Sequence, residues 1–153
     1  MSEIDIFREY ASTQEDMTLG EPASEEEIAE FEARYGVKLP TDVREYLLKI
    51  NGAYESGGYI TLEPLSEWCL ILEYEYANPE NIRWKLPEAH TYFRFGSYDI
   101  LVWDWLIKLD SNPDNETPIV VIYEKATQIA NNFSEFLQKY RIHNPLSLLG
   151  YDE

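Results

Sequence analysis

The sequence predicts an α+β fold with an antiparallel or mixed sheet. Two observations carry this. Apolar spacing is helical through residue 50, turns strand-like after Gly57-Gly58, and becomes helical again near the C-terminal end. Helices and strands therefore do not alternate as they would in a doubly wound fold. At 153 residues, 44% hydrophobic and 27% charged, the chain suits one domain with a buried core. No period of 20–50 residues recurs.

The elements follow in order. Ile4, Phe7 and Tyr10-Ala11 share one face of a short helix over residues 3–11. Residues 12–22 are polar, carry Gly20 and Pro22, and read as a connector. Ser24 with Glu27 forms a capping box, and Glu25-Glu26-Glu27 suit the positive end of the helix dipole. Ile28, Phe31 and Tyr35 give that helix its apolar face, and Gly36 stops it. Leu39-Pro40 makes a rigid corner, and Thr41 is placed to cap the next helix. Val43, Tyr46, Leu47 and Ile50 form its face before Asn51-Gly52 ends it.

Tyr59–Leu62 reads as a short strand. Residues 68–76 satisfy two patterns: Tyr74 and Tyr76 alternate with Glu73 and Glu75 as in a strand, whereas Leu65, Trp68, Leu72 and Tyr76 share a helical face. Tyr92–Phe95 reads as a strand and Gly96-Ser97 as a turn. Ile100–Leu109 is the clearest strand, with Leu101, Trp103, Trp105, Ile107 and Leu109 on one face and Asp104 and Lys108 on the other. Residues 111–116 form a loop, Ile119–Tyr123 a short β-branched strand, and Thr127–Tyr140 the last helix. The Leu146, Leu148 and Leu149 cluster beyond His143 is expected to pack back on the core.

Lys and Arg number 12 and Asp and Glu 29, a net charge of −17. The successive thirds, residues 1–50, 51–100 and 101–153, carry −8, −5 and −4, so the acidity is distributed rather than held in a tail. Such a chain repels phosphate, so direct nucleic-acid binding is disfavoured and no nucleic acid is expected as a partner. No apolar run is long enough to span a membrane, and the opening residues lack the apolar core of a signal peptide. With one cysteine, Cys69, in an apolar run, the expectation is a cytoplasmic protein with an inert thiol.

The usual chemical motifs are missing. There is no P-loop, GxGxxG loop, HExxH helix or GxSxG elbow. His90 and His143 stand alone in polar turns. Asp110–Glu116 resembles a calcium loop only loosely, lacking the glycine and carrying Pro113. The expectation is no enzyme, no cofactor and no metal.

The aromatic residues say more. Trp, Tyr and Phe number 4, 12 and 6. Phe31, Phe133, Phe136, Trp103 and Trp105 suit a core. Tyr54, Tyr59, Tyr74, Tyr76, Trp84, Tyr92 and Tyr98 exceed what a small core holds. Aromatic rings beside carboxylates are what a protein-binding surface uses, the rings as anchors and the acids to steer a basic partner. The candidate partner-binding residues are Tyr59, Glu73, Tyr74, Glu75, Trp84, Tyr98, Asp99 and Asp104. An aromatic acidic groove also suits a sugar or a cationic ligand.

A resemblance joins these observations. Pro22-Ala-Ser-Glu-Glu-Glu-Ile28, Phe31-Glu32, Tyr35-Gly36-Val-Lys-Leu39-Pro40, Val43-Arg44-Glu-Tyr46-Leu47 and Ile50-Asn51-Gly52 resemble the opening of the SUKH superfamily. Pro118-Ile-Val-Val-Ile-Tyr123 and Ile129-Ala130-Asn-Asn-Phe133-Ser134-Glu135-Phe136-Leu137 resemble its C-terminal strand and helix. The similarity spans residues 22–140, leaving residues 1–21 as an N-terminal helix and connector and 141–153 as a tail. It departs at Phe95-Gly96-Ser97-Tyr98-Asp99, where many members carry more glycine. The superfamily includes yeast cell-wall assembly regulators of the Smi/Knr type and bacterial immunity proteins. The resemblance implies helices packed on one side of a mainly antiparallel sheet, structural roles for Glu32, Pro40, Asn51 and Gly52, and no catalytic residue. For a bacterial chain it implies an immunity protein that binds a cognate toxin domain, often a nuclease and therefore basic. The alternatives are a regulatory scaffold and a small-ligand or carbohydrate-binding module. Oligomeric state is not legible from the sequence.

Overall fold

A computed structural model describes residues 1–56, 59–99, 102–142 and 145–150, with the side chains of 145 and 146 left out. Five helices and eight strands are assigned among them: α1 (Glu3–Ser12), β1 (Met17–Leu19), α2 (Glu25–Tyr35), α3 (Thr41–Lys49), β2 (Ala53–Glu55), β3 (Ile60–Leu62), β4 (Cys69–Leu70), α4 (Pro79–Lys85), β5 (Tyr92–Tyr98), β6 (Trp103–Lys108), β7 (Ile119–Ile122), β8 (Ala126–Ala130) and α5 (Phe133–Ile142). The strands form one sheet in the order β1-β2-β3-β5-β6-β7-β8, with β4 also paired to β5, and every pairing is antiparallel. The α+β class and the mainly antiparallel sheet are as the sequence predicts.

The capping signals place the first helices. Ser2 and Asp5 cap α1 reciprocally, and Ser24 and Glu27 do the same for α2. Gly36 closes α2 in the left-handed conformation, at φ 67°. Glu32 then reaches across the corner, its Oε2 accepting from the Leu39 N–H at 2.7 Å. Pro40, not Thr41, is the N-cap of α3, and no side chain caps it. The Asp42 carboxylate instead accepts from the Ser134 N–H and hydroxyl at 3.0 and 3.1 Å, tying α3 to the start of α5.

Asn51-Gly52 does more than end α3. Asn51 adopts φ 51° and Gly52 φ 104°. The Asn51 amide donates to the Glu21 carbonyl at 3.0 Å and accepts from the Leu65 N–H at 2.8 Å. The Gly52 N–H donates to the buried Tyr46 hydroxyl at 3.1 Å. One short turn thus joins two distant loops to the end of its own helix, and this explains why a polar side chain sits buried there.

The main core lies between the sheet and α1, α2, α3 and α5. It holds Phe7, Ile28, Val43, Leu47, Phe93, Phe95, Trp105, Phe133 and Phe136. The Trp105 indole N–H donates to the Leu148 carbonyl at 2.8 Å, which fixes the C-terminal segment as expected for Leu148 and Leu149. A smaller apolar cluster covers part of the opposite face, where Tyr92, Leu106, Val120 and Ile122 meet Ile71, Leu86 and Ala89.

Besides the α3 cap, five expectations need correction. Residues 12–22 contain the edge strand β1, too short to show a pattern of its own. Residues 68–76 are neither one helix nor one strand: a 3-10 turn over 65–67, β4, and a second 3-10 turn over 71–73 follow one another. Gly96-Ser97 lies inside β5, not at a turn. The strand register shifts between Arg94 and Gly96, and a Cβ on Gly96 would stand 2.7 Å from the Thr61 carbonyl oxygen. The glycine serves a bulge and close strand contact. The segment 127–140 splits into β8 and α5. Ile129 and Ala130 share helical spacing with Phe133 but belong to the strand, and Asn132 begins the helix by accepting from the Glu135 N–H at 2.8 Å. Finally, α4 has no counterpart in the sequence reading, because it buries no residue and shows no apolar stripe. Its signal is Asn78 as N-cap followed by Pro79. The β6 strand keeps its predicted face, with Trp105, Ile107 and Leu109 in the main core, and Ile100 and Leu101 lie outside the described residues.

Candidate functional site

The sheet register builds the site. Across β1, β2, β3, β5 and β6 the outer face carries Thr18, Tyr54, Thr61, Ser97 and Asp104 as successive cross-strand partners. On the same face the apolar cluster covers only the β6-β7 side. The polar side opens into a recess of about 270 Å³ lined by Thr61, Glu63, Glu67, Tyr74, Glu75, Tyr76, Arg94 and Ser97.

Arg94 is the organising residue. It projects from β5 on the outer face and is 4% exposed. Its Nε donates to Asp104 Oδ1 at 2.8 Å, and its Nη1 lies 3.9 Å from Glu63 Oε2. The guanidinium carbon stands 4.3 Å from the centre of the Tyr74 ring. Burial raises the pKa of the Asp104 carboxyl, and Arg94 opposes the rise. Burial likewise raises Glu63, with Arg94 opposing and the nearby Glu67 adding to it. Burial also raises the Tyr74 hydroxyl. Arg94 is the only base paired with any carboxylate of this group among the described residues.

A second feature lies at the end of the sheet. Tyr59, Tyr98, Trp103 and Tyr123 form a ladder with successive ring centres 6.4, 5.7 and 5.0 Å apart. Tyr59 is 58% exposed, whereas Tyr98 and Trp103 are half-buried against the main core. Asp99 follows in a turn at φ 54°, its N–H donating to the Tyr59 carbonyl at 2.7 Å. A third feature is Trp84 on α4, 88% exposed.

The eight residues singled out in the sequence therefore fall in four places. Tyr74, Glu75 and Asp104 belong to the Arg94 cluster and its recess; Glu73, on a 3-10 turn, does not line the recess or share a strand face with Glu75, and acts on Cys69 and Tyr35 instead. Tyr59, Tyr98 and Asp99 meet at the ladder, and Trp84 stands apart. Of the other aromatics expected outside the core, Tyr92 is buried in the smaller cluster, and Tyr54 and Tyr76 are exposed. Sequence reasoning missed Arg94, Glu63, Ser97 and Thr61. Arg94 sits inside Tyr92-Phe93-Arg94-Phe95, and the alternation Phe-Arg-Phe is the one signal that it faces away from the core.

Cys69 is half-buried opposite Arg94 on β4, and burial raises its thiol above the ordinary value, which disfavours the nucleophilic thiolate. His90 is exposed on a turn, and His143 lies outside the described residues. No three His, Cys, Asp or Glu side chains converge as metal ligands among the described residues. No helix among them is long and apolar enough to cross a membrane.

An antiparallel sheet with α1, α2, α3 and α5 over one face, and α4 beside a polar, aromatic-rimmed recess on the other, defines an α+β domain. The chain belongs to the SMI1 / KNR4 family (SUKH-1), which matches residues 22–139. No individual curated protein matches it. The family positions Glu32, Pro40, Asn51 and Gly52 lie at the corner and the buried turn described above, where their contacts are structural.

Proposed function

We propose that this chain is a non-catalytic immunity protein that neutralises a cognate toxin domain by stoichiometric binding. The observation that carries the reading is the outer sheet face: within a family that includes immunity proteins, it combines carboxylates in excess of the one base paired with them among the described residues with exposed tyrosines, on a chain of net charge −17. Such a surface suits a basic partner, and a nuclease toxin is basic because it must hold phosphate. Rigid aromatic anchors supply affinity, and the acids supply encounter rate and orientation.

The test is recovery and rescue. A tagged copy expressed in its native host is expected to retain one basic toxin domain in 1:1 ratio at moderate salt. Co-expression of the two is expected to relieve the toxin's killing. Several partners lost together as salt rises, with no rescue, would replace this reading with that of a regulatory scaffold.

A further inference from the structure

The recess on the outer face holds four carboxylates, from Glu63, Glu67, Glu75 and the adjoining Asp104, against one guanidinium. Arg94 is engaged by Asp104 at 2.8 Å and faces Glu63 at 3.9 Å, so its charge is already answered within the cluster. Glu67 and Glu75 have no basic partner among the described residues. A second, independent feature lies on the floor. Ser97 is only 5% exposed and lines the recess, yet its hydroxyl has no hydrogen-bond partner among the described residues. The Thr61 hydroxyl beside it on β3 is likewise without one among the described residues. No fully enclosed side-chain oxygen or nitrogen lacks a partner among the described residues, so the Ser97 hydroxyl opens into the recess, where a ligand can reach it. The walls are aromatic: the Tyr74 and Tyr76 rings stand edge to face at 5.5 Å, and Tyr76 is exposed.

We propose that this recess receives an arginine side chain of the basic protein partner, its guanidinium pairing with Glu67 and Glu75 at the rim and donating to the Ser97 hydroxyl on the floor. The excess of carboxylates excludes an anion. The aromatic walls and the spread of acceptors favour a planar, weakly hydrated guanidinium with five donors over a compact, strongly hydrated ammonium. The cation would also relieve the repulsion between Glu63 and Glu67, which now contributes to raising the Glu63 carboxyl. The inference deepens the partner-binding reading of this face, but its test requires no toxin.

The test is a titration of the full chain, followed by amide nuclear magnetic resonance, with the blocked tripeptide acetyl-Gly-Arg-Gly-amide. Its lysine and citrulline counterparts serve as controls. The arginine peptide is expected to give saturable shifts at Thr61, Tyr74 and Ser97, the lysine peptide weaker ones, and the neutral citrulline peptide none. The double variant Glu67→Gln/Glu75→Gln is expected to keep its fold, since neither residue makes an ion pair among the described residues, and to bind the arginine peptide about tenfold more weakly. Absence of saturable shifts, equal response to citrulline, or shifts confined to Trp84 or the Tyr59 ladder would overturn the assignment. Tight lysine binding would overturn the preference for guanidinium. A positive titration with no toxin recovered would remove the immunity reading and keep the arginine site; the reverse result would do the opposite.

Discussion

Arg94 shows how one side chain can carry both fold and surface. Its guanidinium is almost wholly buried, yet it is matched by Asp104 and Glu63 and roofed by the Tyr74 ring. Removing one partner of a buried ionic group costs more than the pair itself contributes, because charges are left without an answer. Arg94→Ala is therefore expected to destabilise the chain by about 3 kcal/mol in denaturant unfolding. An unchanged midpoint would mean that Asp104 and Glu63 are solvated once Arg94 is gone. The two neighbouring tryptophans give a contrast on packing. Trp105 is fully enclosed and its indole N–H is bonded, whereas Trp103 is half-buried in the aromatic ladder. Trp105→Ala is expected to cost about 4 kcal/mol and Trp103→Ala clearly less, by the same unfolding measurement. Equal losses would mean that the ladder packs as tightly as the core. The sequence placed both residues on the correct face by alternation alone. It missed Arg94 because a cation between two phenylalanines gives no hint of which acids will meet it from β6 and from the loop after β3.

Elements were legible where their ends carry chemistry. The caps Ser24 and Glu27, the left-handed Gly36 and the Asn51-Gly52 stop all lie within a few residues of what they terminate, so spacing along the chain reveals them. Elements whose limits are set by distant partners were not legible. Gly96 looks like a turn until β3 is laid beside it, and β8 looks like the first turn of α5 until it pairs with β7. The α4 helix escaped because nothing in it is buried. The α2-α3 corner offers a test at this scale. Glu32 closes it with a hydrogen bond from the Leu39 N–H, a bond between residues seven positions apart. Glu32→Ala leaves that partly buried donor unpaired and is expected to cost about 2 kcal/mol. Glu32→Gln keeps an acceptor and is expected to lose less. If the two variants unfold alike, the side-chain charge rather than the hydrogen bond holds the corner, since Lys38 lies 4.0 Å from the same carboxylate.

For the whole molecule, the net charge of −17 sets how stability responds to pH and salt. Two contributions act in the same direction on mild acidification. Protonation lowers the general self-repulsion of the compact state. In addition, burial raises Glu63 and Asp104 above their ordinary values, so over that interval the folded chain binds more protons there than the unfolded chain does. The stability linked to these two groups is present at low pH and lost as pH rises through their folded values. Below the ordinary carboxylate values the sign reverses. The Lys49 ammonium, bonded to Asp5 and to Glu45, lowers both carboxyls; the Lys108 ammonium lowers Glu88; and the Asn115 amide lowers Asp110. All four partnerships weaken as these groups protonate. The thermal midpoint is therefore expected to rise as pH falls from about 7 to about 5, then to fall below about pH 4. Salt separates the two contributions. Self-repulsion is screened at high ionic strength, whereas the recessed carboxylates are screened much less. At high salt the rise should persist in reduced form, and Glu63→Gln should flatten it further without removing the fall at low pH. A rise that vanishes completely in salt would mean that the Arg94 cluster is open to solvent, and that the recess has too little shelter to hold a partner's side chain as a buried anchor.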